Sequence, residues 1–262
     1  MDARTPTAPG AGAPQHRLAV LIDADNAQAS AIDGILEEVA GFGTASVRRI
    51  YGNWTGPELA GWKKTLLEHS IQPVQQFAYT SGKNATDSAL IIDAMDLMYT
   101  RRFDGFCLVS SDSDFTRLAQ RLREEGLTVY GFGERKTPAA FVKACDRFVY
   151  TEVLRADAGS AAKPPVAASA ETLPLALIQQ AIGEADDDSG WANLGAVGSY
   201  LTKLRPDFDA RLYGFRKLSD LLRSRPTAFE VIERGEPGRP AKSLYVRIAA
   251  ARAASSGKSK GS

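Results

Sequence analysis

Residues 105–126 read GFCLVSSDSDFTRLAQRLREEG: a nearly continuous apolar run, a polar turn with two aspartates, then a stretch of helical spacing that stops at a glycine. An uninterrupted apolar run suits a strand covered on both faces, as central strands of parallel sheets are. Phe115, Leu118, Ala119 and Leu122 repeat at the spacing of one helix face. Strand, acidic turn and helix make a βα unit, and the segments on either side repeat it. RLAVLID (17–23), ASVRRIY (45–51), IQPVQQFA (71–78) and LTVYGF (127–132) read as the other strands. Helical stretches follow them at 27–39, 57–69, 86–99 and 137–148. Such alternation predicts an α/β domain, a parallel sheet with helices on both faces.

A second, smaller domain follows. Residues 173–185, 191–206 and 215–224 read as three helices, and FEVIERGEPGRPAKSLYVRI (229–248) as a β-hairpin. Three helices closed by a hairpin outline a winged helix-turn-helix. Between the two domains, DAGSAAKPPVAASA is rich in Ala, Pro and Ser without periodicity and reads as a flexible linker. The expected organisation is a disordered leader at 1–16, an α/β domain at 17–155, a linker at 156–170, the small domain at 171–249 and a disordered tail at 250–262.

Parallel sheets place their chemistry beyond the carboxyl ends of their strands. Asp23, Asp25 and Asn26 follow the first strand in LIDADNA, and Asp112 and Asp114 follow the fourth in LVSSDSDF. Asp87 is more informative. At about 100° per residue, with Leu90 at zero, Asp87 falls near 60° inside the apolar stripe of its helix, whereas Asp96 falls near 240° on the outer face. An acid on the inner side of a helix start points at the edge where Asp23 and Asp112 lie. Carboxylates gathered there repel one another unless a divalent cation offsets them, and hard oxygen ligands suit Mg²⁺ or Mn²⁺. The bland alternative is that each aspartate caps the helix it precedes. Capping accounts for any one of them, but not for the doublets DAD and DSD on one edge. Asp93 and Asp96 read as a solvated or flanking face, and Asp104 as a turn residue. Lys83, in TSGKNATD, either contacts phosphate or is simply exposed.

Other chemistries find no residues. The two histidines, His16 and His69, lie in the leader and late in a helix, which leaves no triad and no zinc set. No phosphate-cradling glycine motif is present; GFGER is only a glycine-containing turn. Cys107 and Cys145 form no CxxC pair and read as buried thiols of a protein in a reducing cytoplasm. The sequence carries 32 Lys and Arg against 31 Asp and Glu, so composition alone does not argue for nucleic acid. No apolar run reaches the roughly 18 residues of a membrane span.

LIDADNA, GKNATDSALIIDAMDLMY (82–99), GFCLVSSDSDFTRLAQRLREEG and VYGFGERKTPAAFVKACDRFVY (129–150) together resemble the NYN family of PIN-like (FLAP-type) nuclease domains. The resemblance implies a metal-dependent ribonuclease whose acidic site is Asp23, Asp87, Asp112 and Asp114. Asn26 would assist beside the first aspartate, and Ser111 would help hold a phosphate; Lys83, from its loop position alone, is the further candidate for substrate contact. Asp23 and Asp114 are the expected direct ligands, and Asp87 and Asp112 complete the ring through metal or water. The segment WANLGAVGSYLTKLRPDFDARLYGFRKLSDLLRS (191–224) with its closing hairpin resembles the OST-HTH (LOTUS) module, a winged helix linked to RNA binding and, in some relatives, to helicase partners. Its candidate RNA contacts are Lys203, Arg205, Arg211, Tyr213, Arg216 and Lys217, where basic and aromatic residues interleave. The rival readings are a non-catalytic RNA-binding adaptor and, more remotely, a DxD phosphatase built on Asp23 and Asp25. Oligomeric state and the identity of the RNA stay open.

Overall fold

The strand β1 (Arg17–Asp23) is buried at every residue after its first, and β4 (Gly105–Val109) is buried throughout. They lie side by side, parallel, with Leu18–Ile22 paired to Gly105–Val109. The computed structural model that shows this describes residues 16–76, 85–157, 173–187, 189–235 and 242–249. It divides into two compact units, Met1–Lys163 and Pro164–Ser262.

In the first unit, β2 (Thr44–Gly52), β3 (Gln72–Gln75), β5 (Thr128–Gly133) and β6 (Arg147–Tyr150) complete a six-stranded sheet in the order β3-β2-β1-β4-β5-β6. All neighbouring strands are parallel. Strands β1 to β3 are laid down to one side, and the chain then returns to place β4 against the other side of β1. The order therefore reverses between β1 and β4, which is where open parallel sheets form a crevice at their carboxyl edge. The returning crossover is α3 (Ala85–Tyr99), which packs across β1 and β2 through Leu90, Ala94, Leu97 and Met98. The other helices are α1 (Ile32–Phe42), α2 (Trp62–Glu68), α4 (Thr116–Glu124), α5 (Ala139–Ala144) and α6 (Thr151–Asp157).

Three expected elements differ. The helix expected over 137–148 ends at Ala144, and Arg147–Tyr150 form the sixth strand instead. Phe148 and Val149 are buried there beside β5, so sheet pairing prevails over a weak helical period. Asp146 pins the turn: its carboxylate accepts from the backbone N–H of Val129 (2.9 Å) and meets Arg123 at 3.0 Å. The helix expected from residue 57 starts at Trp62, after turns around Pro57 and Gly61. The helix expected from Ala27 opens as a 3-10 turn at Ala29–Ala31 before α1.

The second unit contains α7 (Leu175–Glu184), β7 (Ala192–Asn193), α8 (Leu194–Leu204), a 3-10 turn (Ala210–Tyr213), α9 (Leu218–Arg223), β8 (Phe229–Gly235) and β9 (Lys242–Ile248). The strands form an antiparallel sheet in the order β7-β9-β8. Ile178, Ile182, Val197, Leu201, Leu222, Phe229 and Val246 make the core. The helix expected from Trp191 begins at Leu194, because Asn193 caps it: its Oδ1 accepts from the N–H groups of Gly195 (2.9 Å) and Ala196 (3.3 Å). The expected three helices and hairpin are present. The expected leader and tail lie almost wholly outside the described residues, as does the linker, except that α6 runs on to Asp157. Among the described residues no helix is long and apolar enough to cross a membrane.

Candidate metal centre

Asp23 ends β1 at the switch point and is fully buried. A buried carboxylate is costly unless donors surround it. Its Oδ1 accepts from the backbone N–H of Asp25 (3.0 Å), and its Oδ2 accepts from Asn26 Nδ2 (2.8 Å) and Ser110 Oγ (2.7 Å). Burial pushes this carboxyl above its ordinary range, while the bonds from Ser110, Asn26 and the Asp25 N–H draw it back.

Ser110 follows directly on β4. Its hydroxyl donates to Asp23 and accepts from the N–H of Asp112 (3.0 Å), so one side chain fastens the end of β1 to the turn after β4. Asp112 is extended and caps the 3-10 turn Ser113–Phe115, its Oδ1 accepting from the Asp114 N–H at 2.9 Å. Phe115 anchors that turn in the core against Phe141. Asp87 stands in the first turn of α3, half-buried.

Carboxylate oxygens of Asp87, Asp112 and Asp114 lie within 4.8 Å of one another. Adjacent oxygens around one octahedral Mg²⁺, with bonds of roughly 2.0–2.1 Å, stand about 2.9 Å apart, so the three acids would draw together on a hard cation or reach it in part through water. The electrostatics agree. Asp87 is pushed up to about 6, first by burial and then by the carboxylates of Asp23, Asp112, Asp114 and Asp25. The capping alternative and the cluster thus coexist: Asp112 caps a turn with one oxygen and still converges with Asp87 and Asp114. Asp23, enclosed by its own donors, acts on this cluster through its charge on Asp87.

The remaining expected residues are placed as follows. Asn26 braces Asp23. Ser111 is buried, and its Oγ accepts from the Glu134 N–H (2.9 Å). Asp25 is exposed beside the site. Lys83 lies outside the described residues. Asp93 is more than a flanking acid: it receives the phenol of Tyr51 and pairs with the Arg49 guanidinium. Asp104 is a turn residue, accepting the Arg17 N–H at 2.6 Å. His69 meets Asp33 at 2.8 Å, away from the acids. Both cysteines are buried, and burial pushes their thiols up.

Sequence reasoning missed Ser110. The signal was present, since a serine ending a buried strand one step from an acidic turn must find an acceptor, but the reading stopped at Ser111.

In the second unit, Lys203, Arg216 and Lys217 are exposed. Arg205 is engaged with Asp207 and Tyr213, and Arg211 is clasped by Asp209 at 2.7 Å. The sequence reading also passed over Arg234 and Arg247, whose guanidinium groups lie over the two-ring system of Trp191 at 4.8 and 4.5 Å.

With this geometry in view, comparison with known proteins is informative. Residues 17–154 match the NYN domain, and residues 168–240 match the OST-HTH/LOTUS domain. No curated protein matches the chain. Among solved structures, an uncharacterized protein of Nitrosomonas europaea, determined by solution NMR, is 42% identical over 36% of this chain and 90% of its own, with a TM-score of 0.31. A crystal structure of a protein of unknown function from Vibrio parahaemolyticus is 19% identical over 52% of this chain and 93% of its own, with a TM-score of 0.43. The NYN match takes in more than half of the sequence and all six strands of the first sheet, and the chain belongs to the NYN domain family, with an OST-HTH/LOTUS domain following.

Proposed function

We propose that the chain is a ribonuclease that hydrolyses RNA phosphodiester bonds with Mg²⁺ or Mn²⁺ held by Asp87, Asp112 and Asp114. The observation that carries this reading is the convergence of those three carboxylates at the carboxyl edge of the sheet, close enough to the buried Asp23 for its charge to act on Asp87. A divalent ion in such a set lowers the pKa of a water and offsets charge on the phosphodiester oxygens. The protein's part is to hold the acids in place beforehand. Ser110 and Asn26 fix Asp23, whose negative charge adds to the demand for a cation above it. The Asp112 cap orients the Asp114 turn, and Phe115 keeps that turn from swinging out. Asp23, expected from the resemblance to be a direct ligand, acts here through water or through the field it exerts on Asp87. Asn26 and Ser111 support the loops on which a phosphate would rest.

The OST-HTH/LOTUS domain supports RNA as the substrate class, with Lys203, Arg216 and Lys217 as its available cations; a protein partner on the same domain is compatible with this role. The buried, unpaired thiols accord with a reducing cytoplasm. The decisive experiment is cleavage of labelled RNAs and DNAs in Mn²⁺, Mg²⁺ and EDTA by wild type, Asp87→Asn and Asp114→Asn. Metal-dependent cutting of RNA that falls at least a hundredfold in both folded variants is the expected result. Binding of RNA with no cutting in any metal would replace the enzyme by an RNA-binding adaptor.

A further inference from the structure

On the far flank of α3 from Asp87 lies an open groove of about 680 Å³, within the roughly 300–1,000 Å³ range of small-molecule sites. Its floor is built by period-two alternation along paired strands: Arg49 and Tyr51 of β2 stand opposite Gln72 and Val74 of β3, and Gln76 continues the β3 row. Its wall is the outer face of α3, including Ile92 and Asp96.

The charges of this groove are nearly settled internally. Arg49 is committed to Asp93, which also receives the Tyr51 phenol, and Asp96 adds a further negative charge. A phosphate gains nothing there. What the groove offers is two neutral amides, Gln72 and Gln76, each able to donate and accept, between apolar surfaces from Val74 and Ile92, the latter 62% exposed. A neutral amide that can donate and accept, set beside an apolar surface, is what an unstacked nucleobase requires, and the row offers one such place on either side of Val74. Among the described residues, the first turns of α3 stand between the groove and the acidic cluster, about one helix diameter or roughly 10–12 Å. A single strand passing over the start of that helix reaches both.

We propose that this groove receives an unpaired nucleobase flanking the scissile phosphate, so that Gln72, Gln76 and Ile92 set a base preference at a fixed distance from the cut. The proposal rests on the nuclease reading for its cleavage readout, and a second readout is independent of it. The full-length chain and its Gln76→Ala and Ile92→Trp variants would digest a random-sequence single-stranded RNA in Mn²⁺, with the product ends sequenced. The expected result is a bias at one position near the cut in wild type that weakens roughly tenfold in both variants. Cutting with no positional bias, or with a bias that neither folded variant alters, would overturn the proposal.

If wild type cuts nothing, photo-cross-linking of the full-length chain to a 4-thiouridine RNA in EDTA decides. A cross-link at Gln72, Gln76 or Ile92 itself upholds the groove while the enzyme reading fails, and cross-links confined to other residues reject the groove as well. A change of oligomeric state in Ile92→Trp by sedimentation, with cutting unaltered, would make the groove a contact between two copies of the chain and also overturn the proposal.

Discussion

Ser110 Oγ donates a 2.7 Å hydrogen bond to Asp23 Oδ2 across 87 residues of sequence, and the bond joins the two strands between which the sheet reverses its order. Both partners are buried, so the bond lies where loss of a donor is most costly. Ser110→Ala leaves the Asp23 carboxylate short of one donor and frees the Asp112 N–H from its partner. The expected destabilisation is about 2 kcal/mol, measured by urea unfolding at pH 7. The loss should shrink at low pH, where Asp23 is neutral. A change under 0.5 kcal/mol would show that water replaces the hydroxyl.

Asp87 gives the metal-free protein a definite pH dependence. Its folded value of about 6 lies above the ordinary 3.8, so the folded state binds the extra proton. Its contribution to stability is therefore greatest below about 4, declines as pH rises through 6, and is flat beyond. Because the carboxyl is only half-buried, the loss is discounted for solvent screening to roughly 1 kcal/mol. Asp87→Asn removes the repulsion, and in EDTA at pH 8 this variant should melt a few degrees above wild type. Equal melting temperatures would mean that the carboxylates stand further apart in solution.

Divalent metal should reverse that order. Adding Mn²⁺ at pH 8 is expected to raise the melting temperature of wild type and leave Asp87→Asn and Asp114→Asn nearly unchanged, since only the folded cluster binds the ion. Protons compete for the same oxygens, so the Mn²⁺ affinity should fall as pH drops through about 6. Thermal melts with and without Mn²⁺ check the first effect and titration calorimetry at pH 5.5 and 8 the second, and equal affinities at the two values would remove Asp87 from the ligand set.

Asp93 carries a structural burden that its sequence context concealed. Its carboxylate satisfies the Arg49 guanidinium and the buried Tyr51 phenol together. Asp93→Ala should therefore destabilise the first unit by about 2 kcal/mol, below the roughly 3–5 kcal/mol of a fully buried pair because both partners are partly exposed. Asp96→Ala, three residues along the same helix, should change stability by less than 0.5 kcal/mol. Thermal unfolding of the two variants side by side checks the contrast.

The parallel sheet was legible because its central strands are apolar without a break, and each is followed at once by acid-bearing turns. Asp87 could be aimed from helical angles alone, since its place in the apolar stripe of α3 left one direction open. The sixth strand was not legible: Arg147–Tyr150 is four residues long, and its burial depends on β5 lying alongside. Nor was the division of labour among the acids. Sequence places Asp23 and Asp112 equivalently, each after a strand, but only the packed structure shows Ser110 and Asn26 enclosing the first. In the second unit, the pairing of Arg205 and Arg211 with nearby aspartates removed two cations that looked available in the linear text.

The reversal of strand order has a consequence for the life of the protein before it is complete. Asp87 enters the cluster on a helix that crosses back over the sheet, and its partners Asp112 and Asp114 follow only after β4. A nascent chain that has emerged only as far as α3 carries one acid of the set, deprived of the others. Phe115 then needs Phe141, later still, to anchor the turn. The acids thus meet only when nearly the whole first unit has left the ribosome, so on the proposed nuclease reading an unfinished chain, held close to messenger and ribosomal RNA, has no assembled centre with which to cut either.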